Sequence, residues 1–305
     1  MAIIKPINLS GTIPLEAKNQ RLDLTLAKLF QEYSRENLKQ WIINGDCYIN
    51  NNKQLSPKIK VNGGEIVVIT ANLTIQNQNW QPENLPLNII YEDEDILILN
   101  KPSNIIMHPA AGNWHGTILN ALLHYNPELK LLPRAGIIHR LDQDTTGLVI
   151  IAKNLLAYNN LALQIKNHAV TKIYEAIIFG NLIAGGTIDA PIGRDKHNRL
   201  KMAVTPDGKQ AITHYRILQK FKNYTHIKVQ IETGRTHQIR VHMKHINYPI
   251  FGDKLYSKFS NNLTNKFNRQ ALHAKELHFK HPSNNKELTF IAELPLDFQN
   301  LLKTL

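Results

Sequence analysis

Residues 139–142 place a histidine, an arginine and a carboxylate within four positions of one another. Apolar pairs and runs flank this segment at residues 137–138 and 148–151, a pattern typical of short strands that meet at a loop. Burying charged side chains beside strands is costly unless polar partners satisfy them. The cluster is therefore either a structural ion pair or a set of charges held for chemistry.

Two kinds of carboxylate chemistry fit this segment. Glycoside hydrolysis ordinarily uses two carboxylates, one to protonate the leaving oxygen and one to attack or to activate water. Asp142 has a neighbour in Asp144, but their spacing does not mark one as the acid and the other as the base. A rearrangement that breaks a glycosidic bond and forms another within one nucleotide activates no water, so a single ionised carboxylate held by an arginine suffices.

Basic residues dominate the second half of the chain. Residues 136–305 hold 24 of the 36 lysines and arginines but only 12 of the 24 acidic residues. The formal net charge of +12 favours a polyanionic partner, most simply a nucleic acid. The competing interpretation is an ordinary basic surface that keeps the protein soluble.

Length and composition indicate a folded chain of two domains. Its 305 residues, 43% of them hydrophobic, can bury a sizeable core. No apolar run approaches the roughly 18 residues that a membrane span needs, and the N-terminal segment makes a poor signal peptide. The only cysteine, Cys47, excludes an internal disulfide and a cysteine-rich zinc site. We expect a cytoplasmic protein without a membrane partner.

The first 71 residues have the pattern of a small module. Helical spacing of leucines predicts a helix over residues 22–33, and a second helix is predicted over residues 35–44. Short strands are predicted at 47–49 and 65–69, after a strand-like or irregular leader at 1–20. The polar segment 72–86 is rich in Asn and Gln and punctuated by prolines. It is predicted to link the module (1–71) to a larger domain (87–305).

The larger domain alternates short strands with short helices. Helices are predicted at 117–125, 155–168 and 297–302, and strands near both ends of 88–101, at 172–177 and twice within 215–233. Residues 185–213 are turn-rich and basic, so they are predicted to clamp a nucleic-acid backbone. The candidate contacts there are Arg194, Lys196, Arg199 and Lys201.

Two segments could suggest a metal site, and both favour another interpretation. The acidic residues 92–95 contain no glycine and no spaced carboxylate set of a calcium loop, so a solvated hairpin turn is predicted. His237, His242 and His245 do not have the spacing of a helical zinc motif and lack a cysteine or spaced carboxylate partner. We expect no bound metal.

A resemblance to known families adds to these patterns. Residues 21–50, with RLDLTLAKLF followed by YSR, WI and a glycine at regular intervals, resemble the S4 domain, a small RNA-binding module. The resemblance implies that Arg35, Lys39 and Lys53 face RNA phosphates. The alternative for each of them is an ordinary solvated charge.

Three further blocks, GIIHRLDQDTTGL at 136–148, KIYEA at 172–176 and GRTHQIRVH at 234–242, resemble the signature motifs of the RluA family of pseudouridine synthases. The resemblance implies an α+β catalytic domain with a mixed, mainly antiparallel sheet and a central basic cleft. It also implies isomerisation of uridine to pseudouridine without a cofactor. A closer likeness to S4-containing members implies large-subunit ribosomal RNA or pre-50S particles as the partner, at the helix-69 stem-loop, and we expect a monomer.

The resemblance also assigns roles within these blocks. Asp142 becomes the catalytic aspartate, Tyr174 the tyrosine that stacks on the uracil, and Arg240 the basic partner of the aspartate. Arg140 becomes the arginine that evicts the target base. Further substrate contacts are implied for His139, Ile239 and Thr146, where Thr146 replaces a serine common in the family.

Several alternatives remain open from the sequence. Tyr174 could be a core tyrosine, His139 could simply brace the loop, and Asp142 with Arg240 could be a structural ion pair. The chain could modify other large-subunit uridines, or act as an RNA-binding assembly factor whose chemistry is incidental. A carboxylate-based glycoside hydrolase would instead release free uracil.

Overall fold

The fold is taken from a computed structural model that describes residues 3–30, 33, 35–75, 80–110, 112–198, 200–259 and 262–305. The strands are β1 (Ile3–Thr12), β2 (Cys47–Ile49), β3 (Asn52–Gln54), β4 (Ile66–Ile75), β5 (Ile89–Glu92), β6 (Ile96–Lys101), β7 (Thr146–Ala152), β8 (Thr171–Phe179), β9 (Gly186–Asp189), β10 (Ile192–Arg194), β11 (Met202–Val204), β12 (Ile212–Lys220), β13 (Tyr224–Ile231), β14 (Leu272–Lys280) and β15 (Glu287–Ile291). The helices are α1 (Leu22–Leu29), α2 (Arg35–Asn44), α3 (Ile118–Tyr125), α4 (Leu155–Lys166), α5 (Gln238–His245), α6 (Asn262–Phe267) and α7 (Leu296–Thr304).

The N-terminal segment folds around a core of its own. Its four-stranded antiparallel sheet has the order β1-β4-β2-β3. Leu22 and Leu26 of α1 pack with Leu38 and Trp41 of α2 in one buried cluster, as their helical spacing predicts. The helix predicted over residues 22–33 ends at Leu29, and residues 31 and 32 lie outside the described part of the chain.

Strand β4 is longer than the strand predicted at residues 65–69, and it extends past the predicted start of the linker at residue 72. It runs to Ile75 and pairs with β1 along its whole length, with Ile3 opposite Ile75. The first four residues of the predicted linker therefore belong to a strand, because the leader supplies them with backbone partners. Residues 76–79 of that linker lie outside the described residues.

The larger part of the chain is built on a nine-stranded sheet. The order is β5-β6-β7-β14-β8-β13-β12-β9, with β15 on β14. Every pairing in it is antiparallel except that of β7 with β14. The predicted α+β class with a mixed, mainly antiparallel sheet is confirmed.

Strand β7 lies in the middle of this sheet and is buried on both faces. All seven of its residues are buried. Val149 and Ile151 pack into one cluster, and Leu148 and Ile150 pack into the other with α4. A strand that is covered on both sides needs a continuous apolar sequence, and the run at 148–151 supplies it.

The loop that carries residues 139–142 enters β7 differently from the sequence prediction. Residues 137–138 form no strand, and Ile137 makes one isolated bridge to Ile151. The turn at Pro133–Gly136 directly precedes Ile137, and Arg134 and Ala135 within it have left-handed backbone, with φ 53° and 51°. Gly136 ends this turn with φ +79°, and a Cβ there would lie 2.0 Å from the Ala152 carbonyl oxygen.

Other segments refine the predicted elements. The turn-rich stretch 185–213 contains β9 and the hairpin β10–β11, and the two strands predicted within 215–233 are β12 and β13. Helix α5 was not predicted, because its sequence carries more polar than apolar residues. None of the helices formed by the described residues is long and apolar enough to cross a membrane.

The acidic turn between β5 and β6 is more than a solvated hairpin. Asp93 accepts hydrogen bonds from the backbone of Asp95 and Ile96, both at 2.8 Å, and His281 Nε2 lies 3.0 Å from its second oxygen. In the described part of the chain, Asp93, Asp95 and His281 are the one group close enough to hold a metal ion. Ser283 Oγ also donates to Asp95 at 2.5 Å, so the group is satisfied internally.

Gly147→Ala is expected to destabilise the fold far more than Gly112→Ala. Both glycines have positive φ, +112° and +85°, so each alanine carries a conformational penalty of about 1 kcal/mol or more. Only at Gly147 would the new Cβ also meet backbone, 2.2 Å from the Ala274 carbonyl oxygen, whereas nothing lies within 4 Å at Gly112. Urea unfolding should show a loss of roughly 3 kcal/mol or more for Gly147→Ala. Equal losses for the two variants would contradict the close approach.

Candidate active site

A cavity of about 470 Å³ opens where the 139–142 loop, β8 and the start of α5 meet. The loop contributes His139, Arg140 and Asp142 to its wall, and β8 contributes Tyr174. Helix α5 and the residues before it contribute a further set: His237, Gln238, Ile239 and Arg240. Three sequence blocks that lie far apart in the chain therefore converge on one cavity.

Arg240 joins two carboxylates at the floor of this cavity. Its NH1 donates to Asp142 Oδ2 at 2.9 Å. Its Nε and NH2 donate to the two oxygens of Asp253 at 2.7 and 2.9 Å. Burial disfavours the charged guanidinium, but the hydrogen bonds and charge of Asp253, with those of Asp142, outweigh it and raise the pKa of Arg240 above its ordinary value.

Asp253 is the buried anchor of this set, and the sequence analysis missed it. Its side chain is fully buried, and Oδ1 also accepts from the backbone of Leu255 and Tyr256 at 3.0 and 3.1 Å. A buried carboxylate that receives two guanidinium and two backbone hydrogen bonds is fully compensated. The GD pair at residues 252–253 was the available signal, since an aspartate behind a turn glycine often caps a turn.

The start of α5 is fixed by its own polar side chains. His237 precedes the helix in the left-handed conformation with φ 57°. Gln238 is buried and uses all of its hydrogen-bonding groups: the amide donates to Ile212 O and Thr213 Oγ1, and the oxygen accepts from Thr233 and Arg235. These bonds tie the first turn of α5 to β12, so the position of Arg240 is set by the sheet.

A buried lysine, Lys101, binds the turn that follows Asp142. Lys101 is 1% exposed, and its Nζ donates to the carbonyls of Pro102 and Gln143 at 2.8 and 2.7 Å. Burial lowers the pKa of Lys101 to about 7, with a partly opposing effect from the charges of Asp144 and Asp142. The sequence analysis did not single out this lysine, and the structure shows that it supports the aspartate turn.

In the cavity wall, Tyr174 is buried whereas Arg140 is exposed. Tyr174 is buried on β8, and burial, reinforced by the charge of Asp142, raises the pKa of its hydroxyl above its ordinary value. Within the described residues its hydroxyl has no hydrogen-bond partner. Arg140 is exposed, so its side chain is free to extend over the cavity.

His139 and Thr146 make contacts that serve the protein itself. His139 Nε2 accepts a hydrogen bond from Ile150 N at 2.9 Å, and burial lowers the pKa of His139 to about 3, so the ring is neutral and braces the loop. Thr146 does not line the cavity, because it is buried and its Oγ1 lies 2.8 Å from His273 Nδ1. Asp144 also lies outside the cavity lining, and Glu232, which does line it, pairs with His214 at 2.7 Å. Asp142 and Asp144 therefore do not form the two-carboxylate pair of a glycoside hydrolase in this cavity.

The remaining predicted residues lie away from this cavity. Arg35 donates to the buried Asp23 at 2.6 Å, Lys39 pairs with Glu36 at 3.1 Å, and Lys53 is exposed and lies over Gly45. Arg194 ends β10, and Lys196 and Lys201 lie in the turn that joins it to β11. Arg199 lies outside the described residues.

Two of the three histidines considered for zinc point to different surroundings. His242 is fully buried and contacts Thr213 Oγ1 and the Ala190 carbonyl, both at 2.9 Å. His245 is exposed at the other end of α5.

A further histidine of the cavity wall, His108, was not singled out from the sequence. Its Nε2 is buried without a hydrogen-bond partner in the described structure, and burial beside Arg134 and Arg140 lowers its pKa to about 4.

Comparisons with known proteins show which family the chain belongs to. A family model described as RNA pseudouridylate synthase matches residues 95–245. The Ribosomal large subunit pseudouridine synthase D of Yersinia pestis is 46% identical over an alignment of 309 positions, which covers 98% of this chain and 95% of that protein. The chain belongs to the RluA family of pseudouridine synthases. It is an enzyme that isomerises uridine to pseudouridine.

Further relatives support membership of the RluA family. The Ribosomal large subunit pseudouridine synthase D of Escherichia coli strain K12 is 44% identical, over 98% of this chain and 94% of that protein. The solved structure of Human RNA Pseudouridylate Synthase Domain Containing 1 superposes with a TM-score of 0.57 at 25% identity, covering 70% of this chain and 85% of that one. The family resemblance found in the motifs is confirmed.

Asp253→Asn is expected to impair both the stability and the activity of this family member. The amide keeps the shape but leaves Arg240 with one charged partner in a buried site, a change that typically costs about 3–5 kcal/mol. Urea unfolding and pseudouridine formation are the two measurements. Glu293→Gln is the control, since that carboxylate is 90% exposed and 3.8 Å from Lys275, and less than about 0.5 kcal/mol is expected. Unchanged stability and activity in Asp253→Asn would contradict the anchoring role.

Lys101 is expected to make stability depend on pH. Its pKa falls from the ordinary 10.5 to about 7 on folding, so between these values the unfolded chain binds the extra proton. Stability therefore rises with pH across this range, by at most about 1.4 kcal/mol per pH unit. The free energy of unfolding of the wild type should rise relative to that of Lys101→Met between pH 7 and 10. Lys280→Met, at a 60% exposed position, should run parallel to the wild type. Parallel curves for Lys101→Met would refute the assignment.

Proposed function

We propose that this chain converts uridine to pseudouridine in large-subunit (23S) ribosomal RNA, at the helix-69 stem-loop, with Asp142 as the catalytic carboxylate. The RNA class is supported by relatives whose names specify the ribosomal large subunit and which align over 98% of the chain. The catalytic assignment rests on one observation: Asp142 lines the cavity with one oxygen bound to Arg240.

The arrangement suits a rearrangement within one nucleotide. The bond from C1′ of the ribose to N1 of uracil breaks, the base turns within the cavity, and a bond from C1′ to C5 forms. C5 gives up its proton and N1 regains one, so no water is consumed and the atoms balance. Asp142 either attacks C1′ or removes a proton from the sugar, and both roles need one ionised carboxylate fixed at the ribose. The proposed reaction uses no cofactor.

Tyr174 is proposed to stack on the target uracil. Its ring forms part of the cavity wall, and aromatic faces bind extruded bases well. The raised pKa of its hydroxyl keeps the proton on oxygen at neutral pH. Tyr174 is therefore better suited to stacking and hydrogen-bond donation than to acting as a base before the reaction begins.

Base flipping is proposed to depend on Arg140. A uridine in a stem-loop must leave its stack to reach an enclosed carboxylate, which costs a few kcal/mol. Arg140 is exposed, two residues from Asp142, and contributes to the cavity wall. An arginine there can take the place of the extruded base while Ile239, which is buried beside Arg240, lines the cavity behind the uracil.

Two basic surfaces are proposed to dock the RNA in a central basic cleft. One is the S4-like module at residues 1–71, with Arg35, Lys39 and Lys53. The other comprises Arg194 at the end of β10 with Lys196 and Lys201 in the turn that follows. Arg199, which lies outside the described residues, is proposed as a further phosphate contact from its place in the sequence. Contacts to phosphates would position the RNA without reading its sequence. The proposed partner is the large-subunit RNA, free or in pre-50S particles, bound by a cytoplasmic monomer.

A strain that lacks the gene should lose specific pseudouridines from its 23S ribosomal RNA. Complementation with the wild type should restore them, and Asp142→Asn should not, because the amide can neither attack nor accept a proton. Purified Asp142→Asn should still bind the RNA with an affinity within about twofold of the wild type. Pseudouridine mapping and a binding assay measure both effects.

Asp144→Asn is the matched control for this experiment. Asp144 lies two residues from Asp142 but outside the cavity lining, so full modification is expected. Product formation by Asp142→Asn would refute the mechanism. Release of free uracil by the wild type, lost in Asp144→Asn, would instead support two-carboxylate hydrolysis.

A further inference from the structure

His237 lies in the cavity at the end of a short chain of hydrogen bonds. The backbone N–H of Met202, on β11, donates to the Tyr256 hydroxyl oxygen at 2.8 Å. That oxygen lies 2.8 Å from His237 Nδ1. On its other side, His237 Nε2 lies 3.9 Å from Asp142 Oδ1. The ring therefore connects a buried tyrosine to the carboxylate.

The chain of bonds fixes which ring nitrogen carries the proton. Tyr256 is buried, and its hydroxyl already accepts from Met202, so its own proton needs an acceptor. Among the described residues, His237 Nδ1 is the acceptor within reach. His237 is thus the neutral tautomer with its proton on Nε2. Burial lowers the pKa of His237, and the charge of Asp142 opposes this effect only in part. The lowered pKa agrees with a neutral ring.

The two oxygens of Asp142 are in different states. Oδ2 receives the hydrogen bond from Arg240. In the described structure Oδ1 accepts no hydrogen bond, and the Nε2 of His237 lies 3.9 Å from it. This separation is too long for a direct hydrogen bond. It leaves room for one polar atom that contacts both groups.

The chemistry of the gap restricts what can fill it. A group of the bound uridine that fills the gap, in place of a water molecule, must accept a hydrogen bond from Nε2–H and donate one to a carboxylate oxygen. A uracil carbonyl oxygen can only accept, and the uracil N3–H can only donate, whereas a hydroxyl does both. Within an RNA chain the 3′ and 5′ oxygens are esterified, so the free hydroxyl of a nucleotide is its 2′-hydroxyl.

We propose that His237 Nε2 and Asp142 Oδ1 together bind the ribose 2′-hydroxyl of the target uridine, so that His237 selects RNA over DNA and places the sugar against the carboxylate. This inference rests on the proposed function, because it requires a ribose at Asp142. Tyr256 is a positioning residue that holds the proton of His237 on the nitrogen facing the substrate.

The test combines two enzymes with two substrates. Wild type and His237→Leu are assayed on a synthetic helix-69 stem-loop that carries either uridine or 2′-deoxyuridine at the target position. On the uridine RNA, His237→Leu should lower the single-turnover rate about tenfold or more, the usual effect of losing one hydrogen bond to a substrate. On the deoxyuridine RNA the two enzymes should differ by less than about twofold, since the hydroxyl is already absent.

Inhibition gives the same comparison if the deoxyuridine RNA is not turned over. Its inhibition constant should be equal for the two enzymes, whereas the KM for the uridine RNA should rise in His237→Leu. His237→Gln, whose amide N–H lies near the position of Nε2, should recover most of the activity. Tyr256→Phe should lose part of the preference for ribose, and His245→Leu, exposed on the same helix, should behave as the wild type.

The outcomes separate the possible failures. Equal losses on the two RNAs would show that His237 acts only through the fold, and no loss on either would remove its contact with the substrate. Either result overturns the inference while leaving the proposed function intact. Absence of pseudouridine from the wild type on the uridine RNA would overturn the proposed function and the inference with it.

Discussion

Arg240 is shared by two carboxylates, and the rest of the site depends on this arrangement. Asp253, fully buried behind the guanidinium, holds two of its nitrogens and fixes its plane. The third, NH1, is thereby aimed at Asp142. A charge fixed in advance stabilises a reacting group without reorganisation at the moment of reaction. Asp253 thus fixes the position of Arg240, and Arg240 in turn fixes the position of Asp142.

The loop that carries Asp142 is held by contacts to residues distant in the chain. Lys101 binds the Gln143 carbonyl from below, and Gln270 donates to Thr145 Oγ1 at 3.1 Å. Gly147, after the turn, lets β7 approach the backbone of β14 more closely than any side chain would allow. Function is placed on a loop, but rigid strands and a buried amine determine its geometry, which is the condition for a precise site.

The motif residues at the site differ in whether their polar groups are already bound by other parts of the protein. His139 and Thr146 are committed to the protein through Ile150 N and His273, although their places in the motif suggested substrate contacts. Both Asp142 and Arg140 line the cavity, and within the described residues Asp142 Oδ1 and the Arg140 guanidinium make no hydrogen bond. Motif membership therefore does not distinguish a residue that touches substrate from one that supports its neighbours, since both kinds are needed at fixed positions.

The sequence by itself determined the family, the α+β class and the helical faces of α1 and α2, because these depend on local periodicity and on motifs. The motifs also predicted Asp142, Tyr174 and Arg240 as one set, and all three line the same cavity. Only the tertiary structure decided that Asp253 anchors Arg240, that Lys101 supports the aspartate turn, and that β4 extends through part of the predicted linker. These features join residues far apart in the chain. Hydrogen-bond direction and burial depend on distances that exist only once the chain has folded, and the spacing of residues in a sequence does not encode them directly.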